Sequence, residues 1–274
     1  MQILSHLYCD NIPENKKDLD NFLIDYEFYT GYDNKEYISF EVSSDNENFE
    51  RVFELKNCKI GMTRYGFSDE ELDSAKWLYM DSKCKKFDIN EDIDTFEFEM
   101  CPKSENIYHY KRQINPYVLT SRVKWKPKNN FYSAYGGGDD IFCSPEAVSQ
   151  FKQNNVIGID FGVVNRKDGT ARDDVYQMLF TEKLSREALC FPRGFIHPCC
   201  RICGEELTHL NMPTTLWYMM GVIEDKLPKN VDAFMTEDKF REHGQQVFIV
   251  SQKVRSVIKN MNERNIDFIP LKTV

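Results

Sequence analysis

The sequence has no apolar run approaching the ~20 residues that a membrane-spanning helix needs. Its first residues, Met1-Gln2-Ile3-Leu4-Ser5-His6, have neither the basic stretch nor the apolar core of a secretory signal. A cytoplasmic protein is the expectation. Short catalytic signatures are also missing: there is no G-x-S-x-G, no H-E-x-x-H, no G-x-x-x-x-G-K-[ST] and no G-x-G-x-x-G. Histidine is scarce. His6, His109, His197, His209 and His243 are the only five, and none falls in a recognisable catalytic cluster along the chain. These gaps point away from an enzyme.

What the chain does have is enough apolar material to fold. Hydrophobic residues make up 41% of its 274 residues and aromatics 14%, which argues against disorder. Its net charge of −9 is unevenly spread: residues 1–100 hold 24 acids and 11 bases, residues 101–274 hold 20 acids and 24 bases. An acidic half attracts a basic partner and repels nucleic acid and membrane surfaces; it also serves solubility alone. One acid-free stretch between Glu105 and Asp139 reverses the sign, with Lys111, Arg112, Arg122, Lys124, Lys126 and Lys128 among Tyr117, Trp125, Phe131 and Tyr132. Bases interleaved with aromatics suit single-stranded nucleic acid. The period-two alternation over 122–128 reads better as the outer face of a strand.

The pattern predicts an α+β fold with mixed sheets. Tyr37–Val42, Arg51–Leu55 and Thr95–Met100 read as strands, with a polar turn at Asp45–Asn48. Ser68-Asp69-Glu70-Glu71 is a capping box, opening a helix expected to run through Ala75, Leu78 and Tyr79. Gly136-Gly137-Gly138 marks a boundary between an acidic N-terminal domain (1–135) and a C-terminal domain (136–274). The second contains an internal repeat. Residues 144–161, SPEAVSQFKQNNVIGIDF, align without a gap on 251–268, SQKVRSVIKNMNERNIDF, and apolar segments precede both. The implied unit is strand, Ser-capped helix, strand, over 141–164 and again over 248–271.

Nine cysteines are present: Cys9, Cys58, Cys84, Cys101, Cys143, Cys190, Cys199, Cys200 and Cys203. Without an export signal they read as buried hydrophobes or metal ligands, not as disulfides. Cys200-Arg201-Ile202-Cys203-Gly204 has the shape of a zinc knuckle: two thiolates at this spacing grip one ion, and the glycine lets the chain turn beneath it. Four ligands close a structural site. Cys199, His197, Cys190, His209 and the distant Cys58 are the candidates for the other two positions. A zinc deaminase would need H-x-E and P-C-x-x-C; here Cys199 precedes Cys200 and no histidine has Glu at plus two. The expected cofactor is one structural zinc or none.

His197–Gly204, the stretch Leu227–Phe234 and the closing strand–helix–strand from Val247 to Leu271 together resemble the late region of the bacterial double-CXXCG-motif immunity proteins, which neutralise secreted polymorphic toxins. The resemblance covers about residues 136–274. The first of the two family motifs is absent, its nearest counterpart being Cys58-Lys59-Ile60-Gly61. The resemblance implies a cytoplasmic immunity protein that binds a cognate toxin effector and occludes its active site, without turnover. The residue types that make good protein anchors, tyrosines beside acids, cluster at Asp25, Tyr26, Glu27, Tyr29, Tyr32, Asp33 and Glu36; the same aromatics would equally serve a core. Two other readings stay open: a zinc-knuckle nucleic-acid-binding regulator using residues 111–135, and an enzyme whose site assembles in space around Cys200 or His197.

Overall fold

A computed structural model describes residues 2–30, 35–82, 84, 86–87, 95–104, 108–119, 123–126, 129–134, 140–190, 202–204, 220–237 and 246–274. The fold is α+β. Two compact units divide the chain at Leu72/Asp73.

The first unit is a four-stranded antiparallel sheet in the order β2-β3-β1-β4, built from β1 (Gln2–Asp10), β2 (Tyr26–Thr30), β3 (Glu36–Ser43) and β4 (Lys59–Gly66). Helix α1 (Pro13–Asn21) begins with Pro at its first position, where a missing N–H costs nothing. Leu19 of α1 and Phe22 after it join Leu7, Cys9, Ile38, Phe40 and Val42 in the core. Asn15 is buried because it is satisfied: its amide donates to the Asp10 and Lys56 carbonyls and its oxygen accepts from the Lys56 amide. Residues Arg51–Glu54 form a 3₁₀ turn and not the expected strand. The Asn48 carbonyl accepts from the amides of both Arg51 and Val52, so the polar turn winds on into a helical one.

The capping box forms as expected. The Ser68 hydroxyl accepts from the Glu71 amide at 3.1 Å, and Glu71 reaches back to the Ser68 amide at 3.0 Å. The helix it opens, α2 (Asp69–Ser74), stops early, because Trp77–Met80 is buried throughout and enters a strand, β5 (Trp77–Ser82). That strand pairs with others beyond residue 248, so the expected boundary at 135/136 falls inside the second unit. Gly136–Gly138 themselves lie outside the described residues.

The second unit holds β5 with β6 (Lys86–Phe87), β7 (Phe96–Met100), β8 (Tyr108–Gln113), β9 (Phe131–Ala134), β10 (Ile141–Cys143), β11 (Ile159–Asn165), β12 (Ala171–Phe180), β13 (Lys183–Leu184), β14 (Leu189–Cys190), β15 (Gly221–Val222), β16 (Ala233–Thr236), β17 (Phe248–Ser251), β18 (Ile266–Pro270) and β19 (Lys272–Thr273). Two five-stranded mixed sheets dominate, β11-β12-β10-β9-β6 and β13-β16-β17-β5-β18. On the first sheet, helix α3 (Pro145–Gln153) sets Phe151 against Phe131 and Phe161. The opposite face carries the cluster of Tyr117, Leu119, Tyr132, Phe142 and Val175. Helix α4 (Gln252–Asn260) buries Val254, Val257 and Ile258, and α3 packs against α4. Of the strand expected over 122–128, residues 123–126 are described and contain only an isolated bridge, Lys126 to Asn129; Arg122 and Lys128 lie outside the described residues.

Both predicted strand–helix–strand units are present, β10-α3-β11 and β17-α4-β18, and their helices begin directly after Ser144 and Ser251. The Ser144 hydroxyl caps α3, accepting from the Ala147 amide at 3.1 Å. Ser251 does not cap α4; its hydroxyl donates to Asp232 at 3.2 Å instead. Cys9, Cys84, Cys101 and Cys143 are buried, and burial pushes the Cys9 thiol up to about 11 and Cys84 up to about 12, so both stay neutral and pack as small apolar groups. At Gly158, with φ +98°, a Cβ would stand 2.2 Å from the Ala233 carbonyl oxygen. Gly158→Ala is expected to destabilise by ~2 kcal/mol or more, since both backbone strain and a backbone clash oppose it. Ser144→Ala should cost about 1 kcal/mol and Ser251→Ala less through capping. Urea denaturation of the three variants measures this ordering.

Candidate partner-binding face

The first unit's sheet buries one face only. In β1 and β3 the core takes Leu7, Cys9, Ile38 and Phe40, so the alternate residues point the other way. The register sets His6 opposite Glu41, Tyr8 opposite Ser39, Ser39 opposite Glu27, and Tyr37 opposite Tyr29. Directly opposed residues share a face, so the open side carries three tyrosines, one histidine and two carboxylates. His6 Nε2 lies 3.1 Å from the Ser39 hydroxyl, and its Nδ1 3.8 Å from Glu41. The Tyr8 and Tyr37 rings meet edge to face at 6.1 Å. On β4, Gly61 has no side chain where a Cβ would press on His6 and Tyr8 at 3.3 and 3.4 Å.

A groove of about 670 Å³ opens at one end of this sheet, with His6, Asp25, Glu27 and Glu41 among its lining residues and Leu23 at its rim. Leu23 is unusual on two counts. It is 90% exposed, and its φ is +55°. It occupies the position just past the end of α1, where the Leu23 amide donates to the Asp20 carbonyl and the Ile24 amide to Leu19. This is the Schellman closure, and the left-handed residue in it is normally glycine. Leucine here takes on backbone strain and leaves an apolar side chain in water.

The charge is concentrated in the same unit. Residues 1–72 hold 16 acids against 7 bases; residues 73–274 hold 28 of each. Residues 1–72 therefore carry a net charge of −9, equal to that of the whole chain.

The partner-binding residues singled out from sequence separate into groups. Glu27 and Tyr29 lie on the open face, and Asp25, Tyr26 and Glu27 line the groove. Tyr26 points to the α1 side, where its ring meets Phe28, and Lys16 of α1 lies 5.0 Å from the centre of the Phe28 ring. Glu36 shares that side and accepts from the Asn11 amide at 3.0 Å. Tyr32 and Asp33 lie outside the described residues. His6, Tyr8, Tyr37, Glu41 and Leu23 were missed. The alternation of Leu7 and Cys9 with His6 and Tyr8 was the available signal for the first two.

Of the expected zinc ligands, Cys200, His197 and His209, like Cys199, lie outside the described residues. Cys190 is exposed and Cys203 half-buried. Gly204 has φ +79°, the left-handed turn that a glycine after a knuckle permits. The Cys58 thiol is pushed up to about 12, first by burial and then by Cys9, so without a metal it is protonated at neutral pH. Among the described residues no group of three or more His, Cys, Asp or Glu could hold a metal ion, and no helix is long and apolar enough to cross a membrane.

No family model matches the chain, and no curated protein matches it.

If Leu23 is held against its backbone preference, Leu23→Gly will stabilise the protein by about 1 kcal/mol. The shift in urea midpoint, at unchanged slope, measures this.

Proposed function

We propose that this is a cytoplasmic immunity protein that binds a basic cognate toxin through the acidic open face of its first unit and occludes the toxin's active site without turnover. The observation that carries this reading is the confinement of the net charge to the unit whose sheet leaves a tyrosine- and carboxylate-bearing face uncovered. Such a face supplies two separate parts of recognition. Carboxylates steer a cationic partner and raise the association rate. Tyrosines and an exposed leucine supply the desolvated anchors that hold it, because they bury much area with few rotatable bonds. The resemblance of the second unit's late region to toxin-neutralising proteins supports the same conclusion from an independent part of the chain. In this reading Leu23 is kept for the interface: it costs the free protein stability and contributes contact area in the complex.

The test is co-expression with the product of any neighbouring gene that arrests growth when expressed alone, followed by calorimetry on the purified pair. A one-to-one complex and rescue of growth are expected. The double variant Glu27→Lys/Glu41→Lys should retain its fold by circular dichroism, associate about tenfold more slowly at low salt, and lose most of the salt dependence of the rate. Leu23→Gly should speed dissociation while stabilising the free protein. Rescue at trace levels with consumption of a substrate would replace this reading with an enzyme. Steep salt-dependent binding to single-stranded nucleic acid instead of the toxin would favour the regulator.

A further inference from the structure

We infer that the second unit is a tandem duplication, 77–165 and 171–273, in which each copy has lent its first strand to the other's sheet. The repeat seen in sequence is thus the visible part of a larger one.

The two five-stranded sheets match strand for strand. Written from the same end, they are β11-β12-β10-β9-β6 and β18-β5-β17-β16-β13. The sense of pairing agrees at every step: three antiparallel pairs, then one parallel pair, β9 with β6 and β16 with β13. The registers agree as well. Phe161 faces Met178, and Phe268 faces Met80. Phe142 lies between Gln177 and Tyr132, as Ile249 lies between Tyr79 and Phe234. Ser133 faces Lys86, and Met235 faces Lys183. Outside the sheets, Asn165 bridges in parallel to Val118, as Lys272 does to Gly221.

Details of the loops repeat too. The Ser144 amide and hydroxyl donate to the Asn130 carbonyl and side-chain oxygen at 3.0 and 2.7 Å. Those of Ser251 donate in the same way to Asp232, at 2.8 and 3.2 Å. Asn130 and Asp232 each immediately precede the strand beside that serine's own. After each helix an asparagine turns left-handed, Asn155 at φ +49° and Asn262 at φ +54°, and donates its amide to the carbonyl of Lys152 or Lys259.

The matched elements follow the same order along the chain: β5, β6, β9, β10, α3, β11 correspond to β12, β13, β16, β17, α4, β18. Yet β12, which opens the second copy, lies between β10 and β11 of the first, and β5, which opens the first, lies between β17 and β18 of the second. Each sheet therefore has an interior strand, second from one edge, belonging to the other copy. Removing an interior strand leaves two facing rows of unpaired backbone groups, so the copies must fold as one body.

The exposed turn Arg166–Thr170 joins the copies, and a protease site inserted between Asp168 and Gly169 in the full chain tests the exchange. The uncut protein should match the parent in circular dichroism. After cleavage, residues 1–168 and 169–274 should elute together under native conditions, unfold in one transition, part only in denaturant, and regain the native spectrum on remixing. Halves that separate without denaturant, or that unfold in two transitions, would overturn the inference. A second measurement needs no cut. Phe142→Ala in the first sheet and Ile249→Ala in the second should each speed hydrogen exchange equally in β10 and β17; exchange raised only in the substituted sheet would overturn it as well.

Discussion

A strand buried on both faces and paired on both edges can be removed only by taking the sheet apart, and β5 is such a strand. Trp77, Leu78, Tyr79 and Met80 are all buried, β17 lies along one edge and β18 along the other. The Trp77 ring packs on Phe234 at 5.1 Å between centres. Around this strand the start and the end of the second unit are joined, and the helices α3 and α4 are brought side by side. Asp232 reinforces the arrangement. Its carboxylate accepts from the Ile157 amide of the first copy, and from the Ser251 hydroxyl and the Lys253 ammonium of the second. A buffer of charge-assisted hydrogen bonds thus sits where the loop after α3 meets the start of α4.

Helices α3 and α4 were readable because each carries its own local signals: a serine before the first turn, an apolar stripe, and an asparagine at the end. The exchanged strand was not readable from any local signal. Trp77–Met80 follows a capping box, and an apolar run there fits a helical stripe as well as a buried strand. Only its partners, far along the chain, decide between the two. The repeat was visible where α3 and α4 impose similar side chains. It held into β11 and β18, which share Ile-Asp-Phe, and faded in the exchanged strands, where Leu179 on β12 matches Asp81 on β5 and pairing is made by the backbone, which tolerates such differences. The boundary failed for the same reason: the pairing of β5 with β17 and β18 joins both sides of it, and no local signal announces that pairing.

The candidate face was half readable. A cluster of tyrosines and acids between 25 and 36 was conspicuous, but strand alternation sends Glu27 and Tyr29 to the open side and Tyr26 and Phe28 to the α1 side. Residues from β1 and β3 complete the face, and nothing local ties them to β2. Leu23 could be recognised only from its backbone angle. Residues 1–72, which carry this face, have a net charge of −9, while residues 73–274 balance at 28 acids and 28 bases. In the proposed reading, recognition and framework fall to separate parts of the chain.

The reciprocal exchange also sets an order of events during synthesis. Tyr79 leaves the ribosome before its partner Ile249, 170 residues downstream, exists. The first sheet has all its strands once residue 180 has been made, whereas the second must wait for both its own strands and the return of β5. Until then Trp77-Leu78-Tyr79-Met80 is an apolar segment with two vacant edges, the kind of segment that chaperones hold and neighbouring nascent chains capture. Long-range pairing of this kind slows folding, so the yield of active protein in the cell depends on how well one tetrapeptide is shielded during the making of some 170 further residues.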